Sequence, residues 1–167
     1  MDVDPSQVLR DHAGALARVA ASYAPPGSDR DDLRQDIALA ILKALPRFRG
    51  ESSLRTYIMR IAHNCGIRHS VRRRRRAEVA EVEVSSDANV ESAIDARRRS
   101  DVLAEAIRTL PIGARQVLVL ALEDMSHAEI ADVLGIRENA VSVRLHRARE
   151  ALRKRLHDPS RKAAAHG

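Results

Sequence analysis

The sequence predicts an all-α fold: two small helical domains joined by a flexible linker. Three observations carry this expectation. Aromatic residues are 2% of the 167, with no tryptophan, so any core must be assembled from Leu, Ile, Val and Ala, which suits helices. Apolar residues recur at steps of three and four in one segment after another. Charge is arranged in blocks: the five arginines Arg72 to Arg76 give way to residues 77–96, which hold six acids and no lysine or arginine. The acidic block reads as a connector between two periodic halves. Its "VAEVEV" alternates as a half-buried strand would, but no second convincing strand exists to pair with it. The expected boundaries are 1–76 for the first domain, 77–96 for the linker and 97–167 for the second.

The elements follow in chain order. "QVLRDHAGALARVAASY" predicts one helix, stopped by "APPG". "SDRDDLRQDIALAILKAL" predicts the next. Ser28 is its expected cap, Asp31 stands in capping-box register, acids crowd the first turn, and Pro46 closes it. Leu33, Ile37, Ala40 and Ala44 form its expected buried face. A third helix starts near Ser52 and Ser53 and runs through "LRTYIMRIAHNCGIRH", with Leu54, Ile58, Ile61 and Cys65 turned inward. The arginine run is its trailing end. In the second half "SDVLAEAIRTL" is amphipathic through Leu103, Ala106, Ile107 and Leu110. Pro111 suits the first turn of the following helix, and "ARQVLVLALE" is apolar almost all round, so it should be buried.

The segment from Ser126 to Arg149 is the most specific. A helix-turn-helix needs a small residue where its helices cross, a glycine at the turn, and a branched apolar residue facing back into the core. Ala131, Gly135 and Val141 meet these needs at the usual spacing. Ile130, Leu134, Ile136 and Leu145 are expected to fill the core, and Ser126 with Glu129 forms a capping box. On the second helix Val141, Leu145, Ala148 and Leu152 line one side. Ala140, Val143, Arg144 and Arg147 form a solvent stripe that could enter a major groove, where arginine clamps phosphate or binds guanine.

Two further surfaces lie in the first half. Asp32, Gln35, Asp36, Leu39 and Lys43 share a face, with Leu42 nearby. Acids mixed with leucines suit a protein partner, since carboxylates repel phosphate; a solvated face with two stray leucines fits equally well. Tyr57, Arg60, Asn64 and Arg68 form a stripe on the next helix, beside the polar loop "RFRGESSLR". An aromatic, two arginines and an amide suit unstacked bases, although plain surface has the same appearance.

Composition narrows the function. A net charge of +6 favours polyanionic partners. No apolar run approaches the ~20 residues that span a bilayer, and the acidic start "MDVDPSQVLRD" lacks a signal peptide's basic and apolar parts. One cysteine, Cys65, rules out an intrachain disulfide and any multi-cysteine metal site. The expected location is cytoplasmic. The seven histidines show no metal-ligand spacing, and His63 and Cys65, flanking Asn64, point in different directions on a helix. No phosphate loop or paired-carboxylate motif stands out, so neither cofactor, metal nor catalytic residue is expected.

"DDLRQDIALAILKALPRFRGESSLRTYIMRIAHN" resembles the second region, and "LPIGARQVLVLALEDMSHAEIADVLGIRENAVSVRLHRAREALRKRL" the fourth region, of bacterial sigma factors of the extracytoplasmic-function (ECF) group. Both occur in order across a short acidic linker. The resemblance implies that Asp32, Gln35 and Asp36, with Leu39 and Lys43, bind the clamp-helix coiled coil of the largest subunit of core RNA polymerase. It implies that Arg49, Ser52, Ser53, Arg55, Tyr57, Arg60, Asn64 and Arg68 open the promoter −10 element, the loop capturing a flipped base. It implies that Arg137, Glu138, Asn139, Ala140, Ser142, Val143, Arg144 and Arg147 read the −35 element. An anti-sigma factor is the implied regulator, and the linker would thread toward the RNA exit side of the polymerase cleft. Three positions depart from the usual pattern: Tyr57 replaces a common tryptophan, Arg68 a common acid and Ala140 a common threonine. The alternative is a stand-alone helix-turn-helix regulator with an N-terminal dimerisation or sensing domain; a protein-interaction adaptor with solvated basic faces is a further one.

Overall fold

The computed structural model describes residues 4–79 and 94–156, and within them it contains eight α-helices, one short 3-10 turn and no strand. The chain is all-α and divides into two compact units, Met1–Glu105 and Ala106–Gly167. Most of the expected linker, residues 80–93, lies outside the described residues.

The first unit contains α1 (Pro5–Asp11), α2 (Ala13–Tyr23), α3 (Ser28–Ala44), the 3-10 turn Leu45–Arg47 and α4 (Leu54–Val79). Helices α2, α3 and α4 pack against one another. The single helix expected over residues 7–23 is divided at His12, whose backbone (φ −105°, ψ 6°) leaves the helical region. Asp4 caps the short first piece, its Oδ1 accepting from the Ser6 amide at 2.9 Å. With the chain bent there, Val8 and Leu16 are both buried. The expected Ser28 cap is also displaced by one residue. Gly27 occupies the cap, its carbonyl accepts from the Arg30 and Asp31 amides, and Ser28 is already helical.

The buried row of α3 is Leu33, Ile37 and Ile41, continued by Leu45 of the 3-10 turn, each four residues from the last. This is the i+4 ridge that packs into a neighbouring helix. Ala40 and Ala44, expected inside, are half-buried beside it. Ser53 caps α4: its Oγ accepts from the Thr56 amide at 3.0 Å, and its carbonyl accepts from the Tyr57 amide. In α4 the inward set is Thr56, Ile58, Met59, Ala62, His63, Cys65 and Gly66, a broader face than the expected one, with Leu54 and Ile61 half-buried at its edge. From Val71 to Ala77 every side chain is exposed, so α4 projects beyond the core.

One contact locks α2 to α4. The Tyr23 ring is 1% exposed, its hydroxyl shares a 2.8 Å hydrogen bond with Nδ1 of His63, and the two rings meet edge-on. The ring fits only because residue 66 lacks a side chain: a β-carbon there would stand 2.4 Å from Tyr23 Cδ2. Complete burial lowers the His63 pKa from 6.5 to about 3, so the imidazole is neutral in the folded chain at neutral pH.

In the second unit α5 (Ile94–Arg108) crosses the division and is followed by α6 (Ile112–Leu122), α7 (His127–Leu134) and α8 (Glu138–Leu156). Helix α8 packs on α6 and α7. Ala106, Ile107 and Leu110 are buried, and Leu103 is half-buried. Pro111 precedes α6 as its cap in extended conformation (φ −53°, ψ 145°), one position earlier than expected. Its carbonyl accepts from the Ala114 and Arg115 amides. Arg115 then reaches back to donate to the carbonyls of Arg108 and Leu110, satisfying the end of α5 that the proline cannot serve. Residues 117–120 are buried on all sides, as expected of so apolar a helix, although Ile112 and Leu122 remain exposed at its ends.

Two predictions follow from the Tyr23 lock. Gly66→Ala gains helix propensity but drives a methyl into a buried ring. It should cost about 1–3 kcal/mol net, read as a lower urea midpoint. For His63 the folded pKa lies below the unfolded one, so the unfolded chain binds more protons between them. Stability should be full above pH 6.5 and decline as pH falls toward about 3, by up to about 1.4 kcal/mol per pH unit. Urea melts from pH 7 to 4 should show a steeper loss for the native chain than for His63→Gln.

Candidate functional site

Three surfaces carry the residues singled out by the sequence. On α3, Asp32, Gln35, Asp36, Leu39, Leu42 and Lys43 are all exposed, opposite the buried i+4 row. Leu39 is 54% exposed, an apolar projection amid polar neighbours. This face borders the arginine run of α4 across a groove lined by Asp29, Asp32, Gln35, Asp36, His69, Arg72, Arg73 and Arg76. Arg72 pairs with Asp36 at 3.5 Å, Arg73 with Asp29 at 4.0 Å, and His69 Nε2 lies 3.1 Å from Asp29. Two arginines of the run that trails from α4 thus hold carboxylates of α3. Exposed pairs of this kind contribute about 0–1 kcal/mol each, so they bias the side chains without committing them.

The second surface is the loop after α3 and the adjoining face of α4. Arg49 is exposed, and Gly50 adopts φ +76°, which suits glycine and lets the loop reverse tightly before the cap of α4. Ser53 is exposed, but its hydroxyl is held by the cap and by Thr56 Oγ at 2.8 Å. Ser52 is half-buried. Arg55 is half-buried, and its positive charge, after partial burial, helps lower the pKa of His12. That places it beside the bend between α1 and α2. The stripe on α4 is therefore graded: Asn64 and Arg68 are exposed, and Arg60 is half-buried. Arg68 Nη2 lies 3.2 Å from Cys65 Sγ.

Tyr57, expected to stack on bases, is half-buried and has contacts within its own unit. Its ring lies 5.0 Å from that of Phe48, tilted by 43°, and its hydroxyl donates to the Ala44 carbonyl at 3.1 Å. It satisfies the C-terminal end of α3 and anchors the loop that begins at Phe48. Sequence spacing put it on the outward stripe; the partner is a backbone carbonyl thirteen residues earlier, which no local pattern reveals.

The third surface is α8. The capping box is complete: Ser126 Oγ accepts from the Glu129 amide at 3.2 Å, and Glu129 Oε2 accepts from the Ser126 amide at 2.8 Å. Gly135 is left-handed (φ 64°, ψ 36°), and the Ile136 amide returns to the Ala131 carbonyl. This is the tight turn a helix-turn-helix requires. Val141, Leu145 and Ala148 are buried, with Leu152 half-buried. In α7 the core residues are Ile130 and Val133; Val133 was not expected inside, while Leu134 and Ile136 are half-buried. Arg137, Glu138, Asn139, Ser142, Val143, Arg144 and Arg147 are exposed, and Ala140 is half-buried. Ser142 Oγ shares a 3.1 Å hydrogen bond with His127 Nδ1, a contact that links the two helices at their outer edge. The Arg144 guanidinium lies over Gly113, where a β-carbon would stand 3.6 Å from Nη1.

Among the described residues no cluster of three His, Cys, Asp or Glu side chains could hold a metal ion. No helix among them is long and apolar enough to cross a membrane. The geometry provides an acid-and-leucine face, a pinned polar loop beside an amide-bearing helix, and a helix-turn-helix with a basic outer face. Tyr57→Phe should remove the Ala44 hydrogen bond while keeping the ring contact, at a cost of about 1 kcal/mol in chemical denaturation.

Residues 8–77 match the family model described as Sigma-70 region 2, and residues 100–152 match Sigma-70, region 4. The chain is 33% identical over 159 residues to the RNA polymerase sigma factor CnrH of Cupriavidus metallidurans, covering 87% of this chain and 83% of that protein. It is 30% identical over 150 residues to the ECF RNA polymerase sigma-E factor of Escherichia coli, covering 82% and 78%. CnrH solved with the cytosolic domain of CnrY superposes with a TM-score of 0.68 at 31% identity, covering 91% of this chain and 86% of that one. RpoE of Bartonella quintana, solved with the anti-sigma factor NepR, shares the fold with a TM-score of 0.75 at 22% identity, covering 92% and 96%.

Proposed function

The chain belongs to the sigma-70 family of bacterial RNA polymerase sigma factors, in its ECF group, and from that premise we propose how its surfaces divide the work of starting transcription. Asp32, Gln35, Asp36, Leu39 and Lys43 dock on core RNA polymerase. The leucines supply apolar contact and the acids meet basic partner groups. Leu39 is the anchor, since a large exposed side chain gains most from burial. The Phe48–Ser53 loop and the face of α4 around Asn64 engage the −10 element as it opens. Arg49, Ser52, Arg60 and Arg68 border that region; Ser53, Arg55 and Tyr57 serve it by holding the loop and the helix start. The outward face of α8, from Arg137 to Arg147, reads the −35 duplex in the major groove.

The observation that carries this reading is the capped, left-handed turn at Gly135 beneath a basic outer helix, on the same chain as the acid-and-leucine face of α3. A duplex-binding module alone does not need the second surface. Residues 1–76 and 97–167 are the two working domains in this reading, with 77–96 as the connector. No catalytic chemistry is assigned to the chain: bond formation belongs to the polymerase. The setting is the bacterial cytoplasm. The regulator is an anti-sigma factor, a reading supported by the complex with the anti-sigma factor NepR formed by RpoE, which shares this fold.

The test is reconstitution with core RNA polymerase on genomic promoter fragments, which should yield discrete run-off transcripts that depend on the chain. Tight binding to duplex DNA by the chain alone, with no association with core enzyme, would overturn the reading. Replacing Asp32 and Gln35 together by alanine should weaken capture of core polymerase several-fold while leaving helical content unchanged. Unaltered capture would remove this face from the interface.

A further inference from the structure

The outer face of α8 is basic and polar except at one point. Val143 is 50% exposed, and it lies in the middle of the outward stripe, four residues after Asn139 and four before Arg147. The buried residues Val141, Leu145 and Ala148 occupy the opposite side. The half-buried Ala140 lies three residues before it, so two small apolar groups adjoin on a face otherwise made of charge and amide.

The side chains on either side of Val143 are turned to other tasks. Ser142 is hydrogen-bonded to His127 at 3.1 Å. Arg144 lies over Gly113 at the start of α6. One turn further on, His146 pairs with Glu150 at 3.7 Å. The centre of the stripe is left to a stiff β-branched side chain with no polar atom. A major groove offers one apolar group on the edges of its unmodified bases, the C5-methyl of thymine.

Resting on the reading of α8 as the −35 helix, we propose that Val143, with Ala140 beside it, is a specificity-determining residue that selects thymine at the −35 element through its methyl group. Arg137 and Arg147 hold the helix against the phosphates, and Asn139 supplies a polar contact. The valine then seats on one thymine methyl and disfavours pairs that place a bare hydrogen-bonding edge beneath it. Burying one methyl group changes affinity by about four-fold, enough to bias promoter choice without dominating binding.

The experiment uses the reconstituted holoenzyme and a promoter that it transcribes in run-off assays. Each thymine of the −35 element, on both strands, is replaced singly by deoxyuridine, which removes only the methyl group. Holoenzyme affinity is measured by competition. At one or two positions the native chain should lose about four-fold in affinity. Val143→Ala should bind the unmodified promoter correspondingly less well and show no further loss on deoxyuridine at those positions. Its helical content should match the native chain, since Val143 contributes nothing to the core. The proposal is overturned if no thymine responds, or if the native chain and Val143→Ala respond alike. A holoenzyme that yields run-off transcripts yet ignores the substitutions defeats the thymine contact alone. A chain that supports no transcript from any template defeats the sigma reading and the contact together.

Discussion

The first unit depends on the seating of one tyrosine. Tyr23, at the end of α2, reaches into α4 through the gap left by Gly66 and closes a hydrogen bond with the buried His63. Burying a neutral imidazole costs less when it is hydrogen-bonded; the Tyr23 hydroxyl serves Nδ1, so the bond and the packing support each other. Asn64 and Gly66 follow His63 within one turn of the same helix. Fixing the azimuth of His63 inward therefore fixes Asn64 outward. Apolar spacing sets that rotation only coarsely: Thr56 and His63 share the inward face, and from Val71 to Ala77 every side chain is exposed. The tyrosine contact, with the cap at Ser53 and the Tyr57 bond to Ala44, decides which face of α4 meets solvent.

The second unit solves the same problem with backbone geometry. A complete capping box starts α7 at Ser126, and a left-handed glycine stops it at Gly135. Both ends being set, α8 must leave at the angle that buries Val141 and Leu145. The basic outer stripe is the consequence. Arg115 performs a comparable task at the preceding corner by donating to carbonyls that Pro111 leaves without a donor. Apolar burial drives the folding of each unit, while a few polar contacts at helix ends choose the orientation in which each functional face is presented.

Much of this was legible in the sequence where the cause is local. The capping box, the turn glycine and the inward Val141 and Leu145 all rest on spacing within a few residues. The exposed face of α3 follows likewise from the period that buries Leu33 and Ile37. What escaped has nonlocal causes. The break at His12 serves the burial of Val8 and Leu16, which no cap signal announces. Gly27 takes the cap from Ser28, a one-residue shift within the ordinary uncertainty of helix ends. Tyr57 looked outward by spacing, yet it is held by Phe48 and a carbonyl of α3. Arg72 and Asp36, read on separate helices, face each other across a groove because α3 and α4 pack side by side. The family resemblance pointed to three faces; the side chains that support those faces became visible only from the packing.

If the division of labour is right, three positions on one chain touch three different things in a single initiating complex. Site-specific photocrosslinking from Leu39, Asn64 and Asn139 in the promoter-bound holoenzyme measures this directly. Leu39 should crosslink to a polymerase subunit, Asn64 to the strand opened near the start site, and Asn139 to duplex DNA upstream. Crosslinks from Leu39 to DNA, or identical duplex crosslinks from Asn64 and Asn139 in the absence of polymerase, would contradict it.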